Sequence, residues 1–284
     1  MNRPDNQAPR GISVHIGVNR CDPAAYNGSW DGAMSSAEND VDTMESIARL
    51  QGFETHVLKT EQATRENVAD AFRSAAVELR PGDFFLVTYS GHGDHVPDIS
   101  GDEEDRLDDT WCLHNGHFLD DELNVLLAGF KPGCRVLVLS DSCHSGTMLK
   151  GAKKAKDDSG RIQDDYIFSR AVPRSASIES YKSHRQYYAE LQLALPKPRP
   201  EIRASVRLLS GCQEDEQSWG SAVTGRFTEA VKTVFADGAF EGSYKQFHAE
   251  LVTAVAKAMN PQTPGHSVIG VPSRDFDLQK PFRI

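Results

Sequence analysis

Two short stretches place reactive side chains just past apolar runs. In FFLVTYSGHGDH, His92 lies in a Gly-His-Gly turn, and in LVLSDSCHSGTM, Cys143 follows a second apolar run. A thiol is only a few per cent thiolate at neutral pH; a nearby imidazole raises that fraction and turns the sulfur into a nucleophile. Alone, Cys143 would read as one more small core residue. Paired with His92 at a neighbouring strand end, it reads as half of a nucleophile–base pair. Gly91 and Gly93 would let a substrate backbone approach closely, and the amides of Gly93 and Cys143 are placed to donate to a developing oxyanion. Asp141, two positions before Cys143, shares its face of the strand.

The elements that must aim these groups are legible as periodicity. Residues 12–18, 53–59, 83–90, 134–141 and 205–211 read as strands; 35–53, 64–83, 120–130, 225–238 and 244–259 read as helices. Thr64 is a candidate N-cap and Pro81-Gly82 a stop. The β-α-β-α-β-α-β order predicts an α/β fold: a mostly parallel sheet with helices on both faces. Ligands of such sheets bind beyond the carboxyl ends of the strands, where residues 92 and 143 fall.

Bulk properties narrow the function classes. The 284 residues suit one sizeable domain, with 39% hydrophobic and 25% charged residues as in ordinary globular chains. A formal charge of −10 argues against nucleic acid and anionic membrane surfaces and permits a cationic substrate. No apolar run is long enough for a membrane span, the first ten residues lack a signal-peptide core, and five cysteines without CxxC spacing predict free thiols in a cytoplasmic setting. Cys21, Cys134 and Cys212 read as inert. A zinc site from His92, His95, Cys112, His114 and His117 is disfavoured, because no pair has the i, i+4 helical spacing of HExxH and all read as lying in Gly/Asp-rich loops.

The motifs YSGHG (89–93) and DSCHSGT (141–147), the tracts GDEEDRLDD (101–109) and LDDEL (119–123), and the stretches ENDVDTM (38–44) and LLSGCQEDEQS (208–218) resemble, in that order, a metacaspase-type, caspase-fold cysteine peptidase of the C14 class. His92 precedes Cys143 by 51 residues, close to caspase spacing. The resemblance covers most of 11–150 and 204–237. It implies a caspase-like fold with a six-stranded sheet: a large-subunit-like catalytic region (1–150), a basic exposed linker (151–203) and a small-subunit-like region (204–284) completing the same sheet. It also implies a His92–Cys143 dyad cleaving protein substrates after Arg or Lys, with Asp40, Ser90 and Asp141 lining the S1 pocket. Two carboxylates in a pocket favour a guanidinium, which binds them bidentately. No third catalytic residue is evident. A catalytically silent scaffold that recruits basic peptides is the rival reading.

Two further tracts bear on control. The carboxylates from Asp102 to Asp109, with Asp120 and Asp121, are either a solvated acidic loop or an oxygen cage for Ca²⁺. The resemblance points to Asp108, Asp120 and Asp121 as ligands, but the family's fourth carboxylate is here Lys150, so Ca²⁺ is possible and no cofactor is required. Residues 150–203 hold 12 Lys and Arg against 7 Asp and Glu in an otherwise acidic chain. An acidic cleft would accept this segment, which makes Lys153, Lys154, Arg161, Arg170 and Arg174 candidate processing sites, cut by the chain itself or by an upstream protease. The plain alternative is a solvated loop.

Overall fold

The computed structural model describes residues 8–99, 107–143, 168–213, 216–256 and 262–284. In chain order the elements are β1 (Gly11–Gly17), α1 (Ala37–Leu50), β2 (Glu54–Lys59), α2 (Arg65–Glu78), β3 (Phe84–Ser90), β4 (Gly93–Pro97), β5 (Leu107–Leu113), β6 (Gly116–Leu119), α3 (Asp120–Leu127) and β7 (Arg135–Asp141). They continue with β8 (Phe168–Ser169), α4 (Arg174–Ser183), α5 (Arg185–Ala194), β9 (Ser205–Ser210), β10 (Trp219–Gly220), α6 (Arg226–Phe235), α7 (Tyr244–Val255), β11 (Gly265–Gly270) and α8 (Arg274–Leu278).

The main sheet has six strands in the order β11-β9-β7-β3-β1-β2, parallel except for β11 against β9. β1 and β3 are buried at every residue, as central strands covered on both faces must be. The strand period of two splits their side chains between two cores. Val14, Phe85, Val87 and Val136 pack with Phe72 of α2 on one face; Phe84, Leu86, Leu137 and Leu139 pack with Met44, Phe227 and Phe247 of α1, α6 and α7 on the other. Thr64 caps α2 through the Asn67 amide at 3.2 Å. β9 extends the sheet beside β7, so the C-terminal block completes the same fold. The register decides the function: Ser90 of β3 lies opposite Asp141 of β7. His92 and Cys143, each two residues further on, therefore leave the sheet at one level.

Three features depart from the periodicity reading. An antiparallel sheet β4-β5-β6 is inserted between β3 and α3, and β8 pairs with β10. β11 is a largely exposed edge strand. Part of the expected exposed connection is a helical pair, α4 and α5, with Val172, Ala176, Tyr188 and Gln192 buried. The pair docks on the small sheet through an apolar cluster of Tyr181, Tyr188 and Leu191 against Val96 and Leu119, and through polar groups: Tyr188 Oη lies 2.6 Å from His117 Nδ1, and Gln192 spans the Ile99 amide at 2.8 Å and the Pro97 carbonyl at 3.0 Å.

Candidate active site

At the carboxyl edge of the main sheet a charged pocket is closed by the chain itself. Asp40 comes from the first turn of α1, Ser90 from the last residue of β3 and Asp141 from the last residue of β7; all three are buried. Into their midst projects Arg170, also buried, from the strand-like segment after β8. Its Nη1 donates to Ser90 Oγ at 2.6 Å and to the Asp141 carbonyl at 2.8 Å. Its Nη2 donates to Asp40 Oδ2 at 2.7 Å and to Ser36 Oγ at 3.2 Å, and its Nε lies 3.6 Å from Asp141 Oδ1. The acids are themselves held: Asp40 Oδ1 accepts from Thr224 Oγ1 and the Gly225 amide, while Asp141 accepts from Ser218 Oγ, Thr228 Oγ1 and the Thr228 amide. Burial raises the Asp141 carboxyl above its usual range, the Arg170 charge opposes this and Asp40 adds to it. Two carboxylates facing one guanidinium form a desolvated ion triad that fails if either sign is removed.

The backbone around Arg170 is extended across the same site. Ser169 pairs with Trp219, the Arg170 amide donates to the Ser218 carbonyl at 3.0 Å, and the Val172 amide donates to the Gly93 carbonyl at 3.2 Å. The Arg170 carbonyl accepts from the Gly93 amide at 2.9 Å. A Cβ on Gly93 would stand 1.8 Å from the Cys143 carbonyl oxygen, so only glycine brings this donor against the backbone of the thiol residue.

The buried Cys143 sulfur lies 3.0 Å from the Ser218 amide. Burial raises its thiol pKa, but hydrogen bonds involving Cys212, the Ser218 backbone, Ser169 and the Arg170 backbone outweigh that and leave it below the ordinary thiol value. His92 Nε2 lies 3.1 Å from the Gly32 carbonyl. A carbonyl only accepts, so Nε2 carries the proton of the neutral ring and Nδ1 keeps its lone pair. Among the described residues Nδ1 is buried with no hydrogen-bond partner at full bonding geometry, and no direct bond joins imidazole and sulfur. Trp30 packs edge-on against the ring at 5.3 Å. Burial, with the Arg170 charge second, pushes the imidazole pKa down from 6.5 to about 4. A neutral imidazole, a thiol with a lowered pKa and an amide on a peptide carbonyl are the parts of an acyl transfer.

The family model for the caspase domain of C14 peptidases matches residues 17–276. The chain belongs to the caspase-domain family. Its metacaspase-like character is visible in relatives: Metacaspase-1 of Lodderomyces elongisporus is 30% identical over 69% of this chain and 52% of its own length. Metacaspase-1B of Aspergillus fumigatus is 40% identical over 30% of this chain and 22% of its own. The chain thus spans about half or less of the length of these curated relatives. Among solved structures, protein GSU0716 from Geobacter sulfurreducens superimposes with a TM-score of 0.83 at 39% identity, over 96% of this chain and 98% of that one. Caspase-1 from Spodoptera frugiperda shares the fold at 13% identity, with a TM-score of 0.56 over 92% and 89% of the two chains.

Within this caspase domain the remaining expected residues are partly placed. Carboxylate oxygens of Asp108, Asp120 and Asp121 lie within 4.8 Å of one another, a donor set suited to Ca²⁺. The Arg199 guanidinium, however, is ion-paired with Asp121, so the cluster as folded already holds a cation and does not fit a calcium ion beside it. Arg174 is exposed at the start of α4. Lys153, Lys154, Arg161, Lys150, His144 and the tract 102–105 lie outside the described residues. His95 and His117 face Asp109 and Asp94, and His114 faces the Arg20 carbonyl, so they serve local contacts. Gly32 and Ser36 were not signalled by the sequence, and Ser218 appears there only as the end of the stretch 208–218, with no role attached: each acts through a fold contact in a loop or at a helix end. Among the described residues no helix is long and apolar enough to cross a membrane.

Proposed function

We propose that this caspase domain is a cysteine endopeptidase that cuts after arginine in protein and peptide substrates, and that its own Arg170–Ala171 bond is the first it cuts. One observation carries the reading: Arg170 occupies the Asp40–Ser90–Asp141 pocket while its carbonyl rests on the Gly93 amide. In this mechanism the free Nδ1 of His92 takes the Cys143 thiol proton as the sulfur adds to the Arg170 carbonyl carbon, the oxyanion is held by the Gly93 amide with that of Cys143, and the carbon–nitrogen bond to Ala171 breaks as the imidazolium passes that same proton to the leaving amine. Water, deprotonated by His92, then attacks the thioester, releasing the Arg170 carboxylate and restoring the thiol. The hydrogen bond to Gly32 orients the imidazole, the part that a carboxylate plays in a triad.

In this reading the chain is made as a zymogen: residues 1–150 form the large catalytic region, 204–284 the small one, and the linker between them fills the cleft until it is cut. An upstream protease acting on the same linker gives the same products. No calcium is required, since Arg199 neutralises part of the acidic cluster, and neither nucleic acid nor a membrane is a partner of this acidic, cytoplasmic chain. The test is covalent labelling of the processed protein with a chloromethylketone bearing arginine, set against one bearing aspartate. Mass addition at Cys143 from the arginine reagent alone supports the reading; equal labelling by both, or none, contradicts it.

A further inference from the structure

We propose that Ser36 is a specificity-determining residue that, with Ser90, reads the two terminal nitrogens of an arginine separately and so makes the pocket reject lysine. The inference rests on the peptidase reading above and sharpens its substrate class. Ser36 stands at the N-cap of α1, where a serine hydroxyl ordinarily accepts from an amide of the first turn. Here it makes no capping bond; it is buried, its carbonyl alone accepts the Asp40 amide at 3.0 Å, and its hydroxyl accepts from Arg170 Nη2. A helix end has given up its side-chain cap to place an acceptor in the pocket.

The four acceptors fall into two pairs. Ser90 Oγ and the Asp141 carbonyl serve Nη1; Asp40 Oδ2 and Ser36 Oγ serve Nη2. Ser90 also donates to Asp40 Oδ2 at 2.7 Å, so its hydroxyl is fixed as the acceptor of the arginine proton. A lysine has one nitrogen, and it sits at the depth of the arginine Cζ, one bond short of both Nη atoms. It can satisfy one pair at most, leaving buried polar groups of the other unpartnered. The far wall enforces the plane of the fork: a Cβ at Gly225 would stand 2.4 Å from Arg170 Nη2 and 2.1 Å from Asp141 Oδ2. Discrimination therefore comes from the acceptors for Nη2 as much as from the two negative charges, which attract either basic residue.

The experiment uses the self-processed full chain with fluorogenic peptides ending in Phe-Ser-Arg or Phe-Ser-Lys, after the segment that fills the cleft. The arginine peptide should lead in kcat/KM by at least about 100-fold. Ser36→Ala should lower the arginine value about tenfold and leave the lysine value unmoved, narrowing the ratio, whereas mere loosening of α1 would lower both. As a second measure that needs no Ser36 variant, a chain carrying Arg170→Lys should lose processing at that bond by a similar factor. Equal turnover of both peptides, an unchanged ratio in Ser36→Ala or undiminished processing of Arg170→Lys overturns the role of Ser36 and leaves the peptidase reading standing. Turnover of neither peptide with an intact chain overturns both.

Discussion

Arg170 Nη2 donates to Asp40 Oδ2 at 2.7 Å, and both side chains are buried. This pair joins the acidic wall of the cleft to the chain's only strongly basic segment, across 130 residues of sequence. A pocket built for a cation is filled by one the molecule supplies.

Removing that cation should be costly. In a Cys143→Ala background, where the segment cannot be cut, Arg170→Ala leaves Asp40 and Asp141 without the buried guanidinium between them, Arg226 being a remaining cation that acts on Asp141. Loss of one partner from a buried ion pair costs roughly 3–5 kcal/mol. Urea unfolding should show a drop toward that range, moderated by water entering the emptied pocket. A change below about 0.5 kcal/mol, the size of an ordinary surface substitution, would mean that Arg170 is not seated there.

Asp40→Asn keeps the shape of the pocket and removes one charge. The guanidinium then loses a charge-assisted bond, so kcat/KM for an arginine peptide should fall about 10- to 100-fold. Fluorogenic assay of the folded variant checks this. Unaltered arginine turnover would assign the selectivity to Asp141 alone.

Acid should loosen the uncut protein through its imidazoles. The His92 pKa falls from 6.5 to about 4, chiefly by burial and then by the Arg170 charge. Between those values the unfolded chain binds the proton and the folded one does not, so stability is complete above pH 6.5 and declines as pH drops toward 4. The decline is about 1.4 kcal/mol per unit, and about 3 kcal/mol over the window for this one group. Buried His15, lowered by burial to about 3, steepens the same limb. Urea midpoints across pH 4–8 for Cys143→Ala, with and without His92→Asn, should show a shallower slope in the double variant. Parallel slopes contradict the assignment.

Calcium should matter little while Arg199 holds Asp121. Peptide turnover in 1 mM calcium and in chelator should agree within about twofold, and Arg199→Ala should acquire a calcium-dependent rise in melting temperature. A tenfold or greater calcium activation of the unaltered chain would show that the arginine yields to the ion.

The sequence made the pair His92 and Cys143 legible because strongly apolar strands end on them, and the parallel order aligns those ends. Asp141 followed from the strand period. Arg170 was one of five basic candidates, and composition could not choose among them: the choice is made by the reach of the backbone beside Trp219 and Gly93, a contact between distant segments. The small sheet β4-β5-β6 escaped because charged residues interrupt its alternation. The pair α4–α5 escaped because its docking rests on a few amphipathic residues, Tyr181, Tyr188 and Leu191 with Gln192, rather than on a continuous apolar stripe. Ser36 drew no attention in the sequence, and its role shows only in the fold, where its hydroxyl turns from the helix end to the guanidinium.

The most direct measurement is the intact mass and new N-terminus of the purified chain, beside a Cys143→Ala counterpart prepared in the same way. Fragments meeting at Arg170 and Ala171 in the first, and a whole chain in the second, are the predicted result. Cleavage at that bond in both proteins, or an uncut chain in both, would contradict the claim that Arg170 is held in the cleft as a substrate of Cys143.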